Sequence, residues 1–242
     1  MDGGFCVRVF AISDLHLGFA VNKPMDIFGS AWRNHSSKIE VNWTQAAGND
    51  DLILVPGDIS WGMNFTQAEE DLKFLDSLPG KKFISRGNHD YWWSSLSKVT
   101  QFVGGSIVPL QRNAVDCGSF ILAASKGWNT PLWDGFKPSS DSKLYRRELD
   151  RMKLTLEKAA EIKKPEQKLV YMMHFPPVID GEPSEFAELL SRAEVSLCLY
   201  GHLHEKWSPS VNMKHDGVMY RIVSADYLNF KPLDITEEVY GR

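Results

Sequence analysis

Five short apolar runs in this chain of 242 residues each stop at a cluster of Asp, Asn or His side chains. Val7 to Ser13 runs into Asp14-Leu15-His16, and Leu52 to Val55 into Pro56-Gly57-Asp58. Lys82 to Ser85 is followed by Arg86-Gly87-Asn88-His89-Asp90, Leu169 to Met173 by His174, and Val195 to Tyr200 by Gly201-His202-Leu203-His204. Runs of this length, bounded by Gly, Pro and Asp, read as short apolar strands. Open α/β sheets bind ligands beyond the carboxyl ends of their strands, so clusters distant in sequence can meet along one edge.

Between the runs lie helical patterns. Thr66 and Glu69 form a capping box ahead of an apolar face of Ala68, Leu72 and Leu75, and Pro79-Gly80 stops that helix. Ser140 or Asp141 caps the longest helix, whose inner face is Tyr145, Leu149, Met152, Leu156 and Ala160. Phe186, Leu189, Leu190 and Ala193 mark another, shorter one. The span 18–49 is a polar and aromatic excursion with one helix near Ile39 to Ala47; a flap carrying Trp32, Arg33 and His35 would come from it. Ile107 to Val115 and Ser119 to Ser125 read as a hairpin turning through Asp116-Cys117-Gly118, and Val218 to Ala225 as one arm of a terminal hairpin. No linker, repeat or low-complexity tract interrupts the chain, so a single domain over 1–242 is expected, an α/β fold with mixed sheets.

Lys plus Arg is 27 and Asp plus Glu is 31, a formal charge of -4. No stable nucleic-acid complex is expected from that balance, although a nuclease with a local basic patch is compatible with it. Cys6, Cys117 and Cys198 form no metal or disulfide framework and read as buried thiols in a reducing compartment. Neither a membrane-spanning run nor an export signal is evident, so the expected location is cytoplasmic, with no membrane and no obligate protein partner.

The polar clusters carry the chemistry. Residues at i and i+2 of an extended chain project the same way, pairing Asp14 with His16 and His202 with His204. Gly57, Gly87 and Gly201 permit sharp turns and close backbone approach. Alone, each cluster has a plain structural reading: a turn, a loop cap, a half-buried imidazole, or for Asn88 a left-handed turn residue. Five of the seven histidines fall in these clusters, however, with only His35 and His215 elsewhere, and that concentration favours a shared metal site. Carboxylate, amide and imidazole donors suit Mn²⁺, Fe or Zn²⁺ better than a thiolate zinc knot or an all-oxygen calcium loop. Asp14, His16, Asp58, Asn88, His174, His202 and His204 are too many ligands for one tetrahedral ion. With a bridging carboxylate they can serve two ions about 3.5–4 Å apart, a separation suited to hydrolysis at phosphorus. His89 fits a role beside the metals, donating to a phosphoryl oxygen or protonating a leaving group. Asp90 either orients a histidine or caps the following helix.

The series Asp14-x-His16, Gly57-Asp58, Gly87-Asn88-His89-Asp90, His174 and Gly201-His202-x-His204 resembles calcineurin-like metallophosphoesterases of the compact bacterial type. The resemblance implies a four-layer α-β-β-α sandwich of two facing mixed sheets, metallophosphatase-like. It assigns one ion to Asp14, His16 and His204 and the other to Asn88, His174 and His202. Asp58 would bridge them, a metal-bridging hydroxide would attack phosphorus in line, and His89 would assist at the leaving oxygen. Protein serine/threonine phosphatases of that superfamily carry Asp and Arg shortly after the Gly-Asp pair. This chain has Ile59-Ser60-Trp61-Gly62 there, which argues against a protein substrate.

The expected substrate is a small phosphodiester or nucleotide, and the expected cofactors are two divalent ions, Mn first, with Fe, Zn or Ni as alternatives. A phosphomonoesterase and a metal-binding scaffold with a silent site are the alternative readings. Monoester preference needs extra cations, and no cluster of them stands out in the sequence. Arg86, Trp92 and Trp128 are the candidate substrate contacts; Trp61 and Lys126 are weaker ones, since a Trp beside a strand-end loop more often roofs the core.

Overall fold

The structure, a computed structural model, describes residues 7–204 and 208–241. Its first sheet is built from β1 (Val9–Ala11), β2 (Leu52–Val55), β3 (Lys81–Ser85), β4 (Ile107–Leu110) and, from the far end of the chain, β13 (Leu233–Asp234). The order is β13-β1-β2-β3-β4, parallel throughout except for β13, which runs antiparallel to β1 with Phe10 opposite Asp234. The second sheet comprises β5 (Asn113–Asp116), β6 (Phe120–Ser125), β7 (Lys168–Met173), β10 (Leu197–Tyr200), β11 (Met213–His215) and β12 (Val218–Ile222). Its order is β11-β12-β10-β7-β6-β5, with a parallel centre and antiparallel edges. β8 (Val178–Ile179) and β9 (Glu182–Pro183) form a separate two-stranded ribbon.

Alternation along the strands sorts side chains into three apolar layers. Val9, Ala11, Leu54 and Phe83 face Leu122, Ala124, Val170, Met172, Leu197 and Leu199 across the gap between the sheets. On the outer side of the first sheet, Phe10, Ile53, Val55 and Ile84 pack under α1 (His35–Ala46), α2 (Phe65–Ser77) and α3 (Leu96–Phe102). On the outer side of the second, Ile121, Ala123, Tyr171, Cys198 and Tyr200 pack under α4 (Pro138–Ile162) and α5 (Glu185–Arg192). Every central strand is covered on both faces, which is why each reads as an unbroken apolar run. The result is the expected α-β-β-α arrangement; α6 (Thr236–Tyr240) lies at the chain's end. Among the described residues no helix is long and apolar enough to cross a membrane.

Several local expectations are corrected. Ile107 to Val115 is not one hairpin arm: β4 pairs with β3, the chain breaks at Gln111-Arg112, and β5 pairs with β6 in the other sheet. Arg112 takes a left-handed φ of 60°, which redirects the chain there. The capping box of α2 sits two residues early: Asn64 Oδ1 accepts from Gln67 N at 3.1 Å, and Gln67 Oε1 accepts from Met63 N at 2.9 Å. α4 begins with Pro138 at its first position, where no N–H is needed. Asp141 lies inside the first turn and accepts from Lys137 N at 2.8 Å. Ala159, not Ala160, completes its buried face. Cys198 is buried as expected, Cys117 is only half-buried in the β5–β6 turn, and Cys6 lies outside the described residues.

Lys82 is a charged residue in an otherwise apolar layer. It is fully buried on the helix-facing side of β3. Its ammonium donates to Leu78 O at 2.6 Å and Asp76 O at 3.1 Å, carbonyls at the end of α2, the second of which also accepts from Ser106 Oγ at 3.1 Å. Burial pushes the ammonium pKa down to about 8. Lys82→Ala removes the buried stem and both hydrogen bonds, so a loss of about 2–4 kcal/mol is expected, read as a lower urea midpoint at unchanged slope.

Candidate metal centre

The parallel ladders continue past the strand ends and sew the polar loops together. Asp14 N donates to Gly57 O at 3.0 Å, His16 N to Asp58 O at 3.0 Å, and Gly201 N to His174 O at 3.1 Å. Ser13 N donates to Val223 O at 2.7 Å, which ties the end of β1 to the end of β12 and joins the two sheets. Asp14, His16, Asp58 and His202 all have left-handed φ values, of 56°, 45°, 51° and 72°. Asp and His tolerate that region better than most side chains. Asp14 and His16 therefore meet through two left-handed residues, not through the i, i+2 geometry of an extended strand.

Close approach explains the glycines. A Cβ on Gly87 would fall 2.0 Å from Asp58 Oδ1, and one on Gly201 2.2 Å from Asp14 Oδ2. Asp90 neither orients a histidine nor caps a helix. Its Oδ1 accepts from Ile59 N, Ser60 N and Trp92 Nε1 at 2.9, 3.1 and 3.0 Å, and its Oδ2 from Asp58 N and Gly87 N at 2.9 and 2.8 Å. Burial, then the charge of Asp58, pushes its carboxyl up to about 6, and the backbone N–H donors pull the other way.

The side chains converge in two groups. In the first, Asp14 Oδ1 lies 3.5 Å from His204 Nε2 and 3.9 Å from His16 Nε2, and the two imidazole nitrogens are 3.4 Å apart. In the second, Asn88 Oδ1 lies 2.7 Å from His174 Nε2 and 2.9 Å from His202 Nδ1. Asp58 Oδ2 sits between them, 3.3 Å from His174 Nε2 and 3.8 Å from His16 Nε2. Asp14, His16 and His204 meet the spacing for a shared ion, as do Asp14, Asp58 and His174.

The tautomers suit a cation. His174 Nδ1 lies 3.1 Å from Pro56 O, which can only accept, so that nitrogen carries the hydrogen and Nε2 faces Asn88 and Asp58. His204 Nδ1 lies 2.9 Å from Asp226 Oδ1, leaving Nε2 for Asp14. Neutral rings would aim nitrogen lone pairs at oxygen lone pairs inside a buried pocket, so a positive charge belongs among them. Burial opposes charge on His174, but Asp58 and Asp14 outweigh it and hold its pKa up to about 9. For His204 burial is again the largest influence, outweighed by hydrogen bonds to Asp14 and Asp226, and the pKa rises to about 10. His16 and His202 go the other way, to about 4 and about 3, chiefly through burial. Burial alone would raise the Asp14 and Asp58 carboxyls, but the facing histidines hold both far below the usual carboxylate range. Oxygen and imidazole donors with no thiolate fit a divalent ion such as Mn, Fe or Zn.

Beside this cluster lies a cavity of about 260 Å³. His16, Asp58, His89, His202 and His204 form its polar side, and Met25, Phe28, Trp32 and Trp61 its apolar side. Three of those apolar residues belong to the 18–49 excursion, which thus walls the site; His35 stands behind it, its Nε2 3.2 Å from His16 O. The His89 ring stays outside both donor groups and lies 4.4 Å from Trp61, while its backbone N–H donates to Asp58 Oδ1 at 2.8 Å. Trp92, named as a substrate contact, is instead 2% exposed, packed on Trp93 and bonded to Asp90. Arg86 and Trp128 line a second cavity beyond the cluster. Sequence reasoning missed Asp226, although it follows the Val218 to Ala225 run as the other clusters follow theirs.

Two facing mixed sheets whose carboxyl ends share a buried His/Asp cluster define a metal-dependent phosphoesterase class of fold and site. The chain belongs to the calcineurin-like phosphoesterase family, whose model matches residues 7–206. Among curated proteins, Gene 66 protein of Mycobacterium phage D29 is 34% identical over 84 residues, and that of phage L5 is 31% identical over 78. Those stretches cover 34% and 32% of this chain and only 40% and 37% of the phage proteins. Among solved structures, a protein of unknown function from Aquifex aeolicus aligns with a TM-score of 0.53 at 13% identity, covering 96% of this chain and 97% of its own. Phosphopantetheinyl hydrolase from Mycobacterium tuberculosis aligns at 0.55 and 15%, covering 90% and 88%. The protein TT1561 from Thermus thermophilus aligns at 0.52 and 12%, covering 95% and 98%. At these identities the likeness concerns the fold.

The raised histidines give a test of the centre. Their pKa values lie above neutrality, so both hold protons in the metal-free chain, and an incoming divalent ion must displace them. Mn²⁺ uptake by EDTA-stripped protein near neutral pH is expected to release about two protons, measured by calorimetry in buffers of different ionisation enthalpy. Affinity should fall as pH falls.

Proposed function

We propose that this chain hydrolyses a phosphoester at the His/Asp/Asn centre, with a small phosphodiester or nucleotide as substrate. The observation that carries the reading is the place of Asp58, one carboxylate oxygen facing an imidazole of each donor group. Asp14, His16 and His204 hold one divalent ion and Asn88, His174 and His202 the other, with Asp58 shared; Mn is the first candidate. Two such ions supply positive charge for the phosphoryl oxygens and a lowered pKa for water. His174 and His204 keep their ligating nitrogens aimed inward through Pro56 and Asp226. His89 lies on the cavity side of Asp58, placed to donate from its ring to a phosphoryl or leaving oxygen.

The apolar side of the cavity supports an organic ester group. Trp61 stacks on His16 with ring centres 4.9 Å apart, and Met25, Phe28 and Trp32 stand around it. A protein phosphate is disfavoured, because Ile59-Ser60-Trp61-Gly62 follows Asp58 where protein serine/threonine phosphatases of the superfamily carry Asp and Arg. All seven proposed ligand positions carry a competent donor, which weighs against a silent scaffold in the cytoplasm.

The decisive assay follows bis-p-nitrophenyl phosphate with metal-stripped protein before and after Mn²⁺ is restored. Turnover should appear only with the metal. Absence of turnover on this diester and on p-nitrophenyl phosphate, with Mn²⁺, Zn²⁺, Fe²⁺ and Ni²⁺ each tried, would sink the hydrolase reading. Asp58→Asn should lower kcat at least about a hundredfold, because the shared carboxylate is lost. His89→Ala should keep both ions by metal analysis while kcat falls about a hundredfold; loss of an ion would make His89 a ligand instead.

A further inference from the structure

The second cavity, of about 270 Å³, is lined by Arg86, Arg112, Lys126, Arg147 and Arg151, with Glu148 as its one carboxylate and Trp128 on its wall. The cations come from four separate places: the end of β3, the β4–β5 break, the loop after β6, and α4. Glu148 is buried and engaged by Arg151 at 2.5 Å and Arg147 at 3.6 Å. Among the described residues, Arg86, Arg112 and Lys126 enter no ion pair. Arg86 lines the cavity, and its Nε is buried without a hydrogen-bond partner. An unpaired buried guanidinium nitrogen is costly unless an acceptor arrives.

Two of its lining residues, Arg86 and Lys126, are tied to the loops that carry Asn88, His174 and His202. Arg86 directly precedes Gly87-Asn88. Lys126 O accepts from His174 N and Phe175 N at 3.1 and 3.2 Å. The Lys126 ammonium lies 4.1 Å over the Trp128 ring and 5.6 Å from the Phe175 ring, which is itself 4.4 Å from the His202 ring. The Trp128 N–H is taken by Asp141 at 3.2 Å, so this indole offers a face and not a donor.

We propose that the basic cavity is a subsite for a second, non-scissile phosphate or diphosphate of the substrate, with Arg86 and Lys126 as its contacts nearest the metals and Arg147 at its outer rim. The inference rests on the hydrolase reading and narrows it to esters bearing another anionic phosphate. Guanidinium groups present paired N–H donors that match phosphate oxygens, and the three cations without a carboxylate partner suit a multiply charged oxyanion.

The test titrates the full chain with pyrophosphate in EDTA, followed by tryptophan fluorescence, so that no divalent ion competes for the anion. Saturable binding is expected, weakened about tenfold or more in Arg86→Gln. Arg147→Gln, on the exposed side of α4, should weaken it about threefold and serves even if the first variant misfolds. In the Mn²⁺-loaded protein, the kcat/KM ratio of ADP-ribose, a diphosphate diester, over bis-p-nitrophenyl phosphate should fall at least about tenfold in Arg86→Gln. No saturable pyrophosphate binding by the unaltered chain, or binding by both variants equal to that of the unaltered chain, overturns the subsite. An unchanged substrate ratio despite weakened pyrophosphate binding overturns its role toward substrate. Failed turnover of bis-p-nitrophenyl phosphate by the unaltered chain counts against the hydrolase reading alone, because pyrophosphate binding is read without it.

Discussion

The carboxylate of Asp90 is the interaction on which the shape of the candidate metal centre depends, although it belongs to neither donor group. It collects four backbone N–H groups from two loops, and the indole N–H of Trp92 besides. Each of those donors is shut off from water, and leaving one unpaired costs about 1–3 kcal/mol. By fixing the backbone of Asp58 and Gly87 together, Asp90 places the shared carboxylate against the loop that carries Asn88 and His89. Gly87 makes the approach possible, since any side chain there would strike Asp58. The ligand positions thus follow from a polar anchor beneath them and from backbone bonds that extend both sheets past their last strand residues.

Charge organises the layer above the anchor. Two carboxylates and four imidazoles share a pocket from which water is largely excluded, so their protonation states are set by one another. His174 and His204 each have a hydrogen-bond acceptor behind the ring and a carboxylate in front of it, and both take up protons. His16 and His202 lack a carboxylate at hydrogen-bonding distance and are kept neutral by burial. A proton and a divalent ion would compete for the same ring nitrogens, which makes metal affinity and pH two views of the same balance.

How far the sequence revealed this depends on what each residue's signal reflects. Strands buried on both faces leave apolar runs, and polar clusters at their carboxyl ends break those runs sharply, so the layers and the converging Asp, Asn and His side chains were legible. The passage of the chain from β4 to β5 was not, because both halves are apolar and the change of sheet rests on the left-handed φ of Arg112. Trp92 follows a metal motif as closely as any substrate contact would, and only packing against Trp93 and Asp90 shows it to be core. Asp226 is one acid after one strand, a weak pattern until His204 is seen beside it. The five cations of the basic cavity come from four separate segments of a chain with net negative charge, so no single local run announces them.

The two cavities differ in a way that follows from their parentage. The excursion before α1 contributes Met25, Phe28 and Trp32 on the His16–His204 side, and its wall is apolar. The end of β3, the β4–β5 break, the loop after β6 and α4 contribute the cations of the other cavity. An ester bound at Asp58 as proposed would therefore meet unlike surroundings in the two directions, aromatic on one and basic on the other. Hydrophobic contact is tolerant of shape, whereas a guanidinium cluster discriminates strongly between an anion and its absence. On the proposed reading, selectivity between substrates would rest more on the basic side, and the aromatic side would contribute affinity for the organic group of the ester.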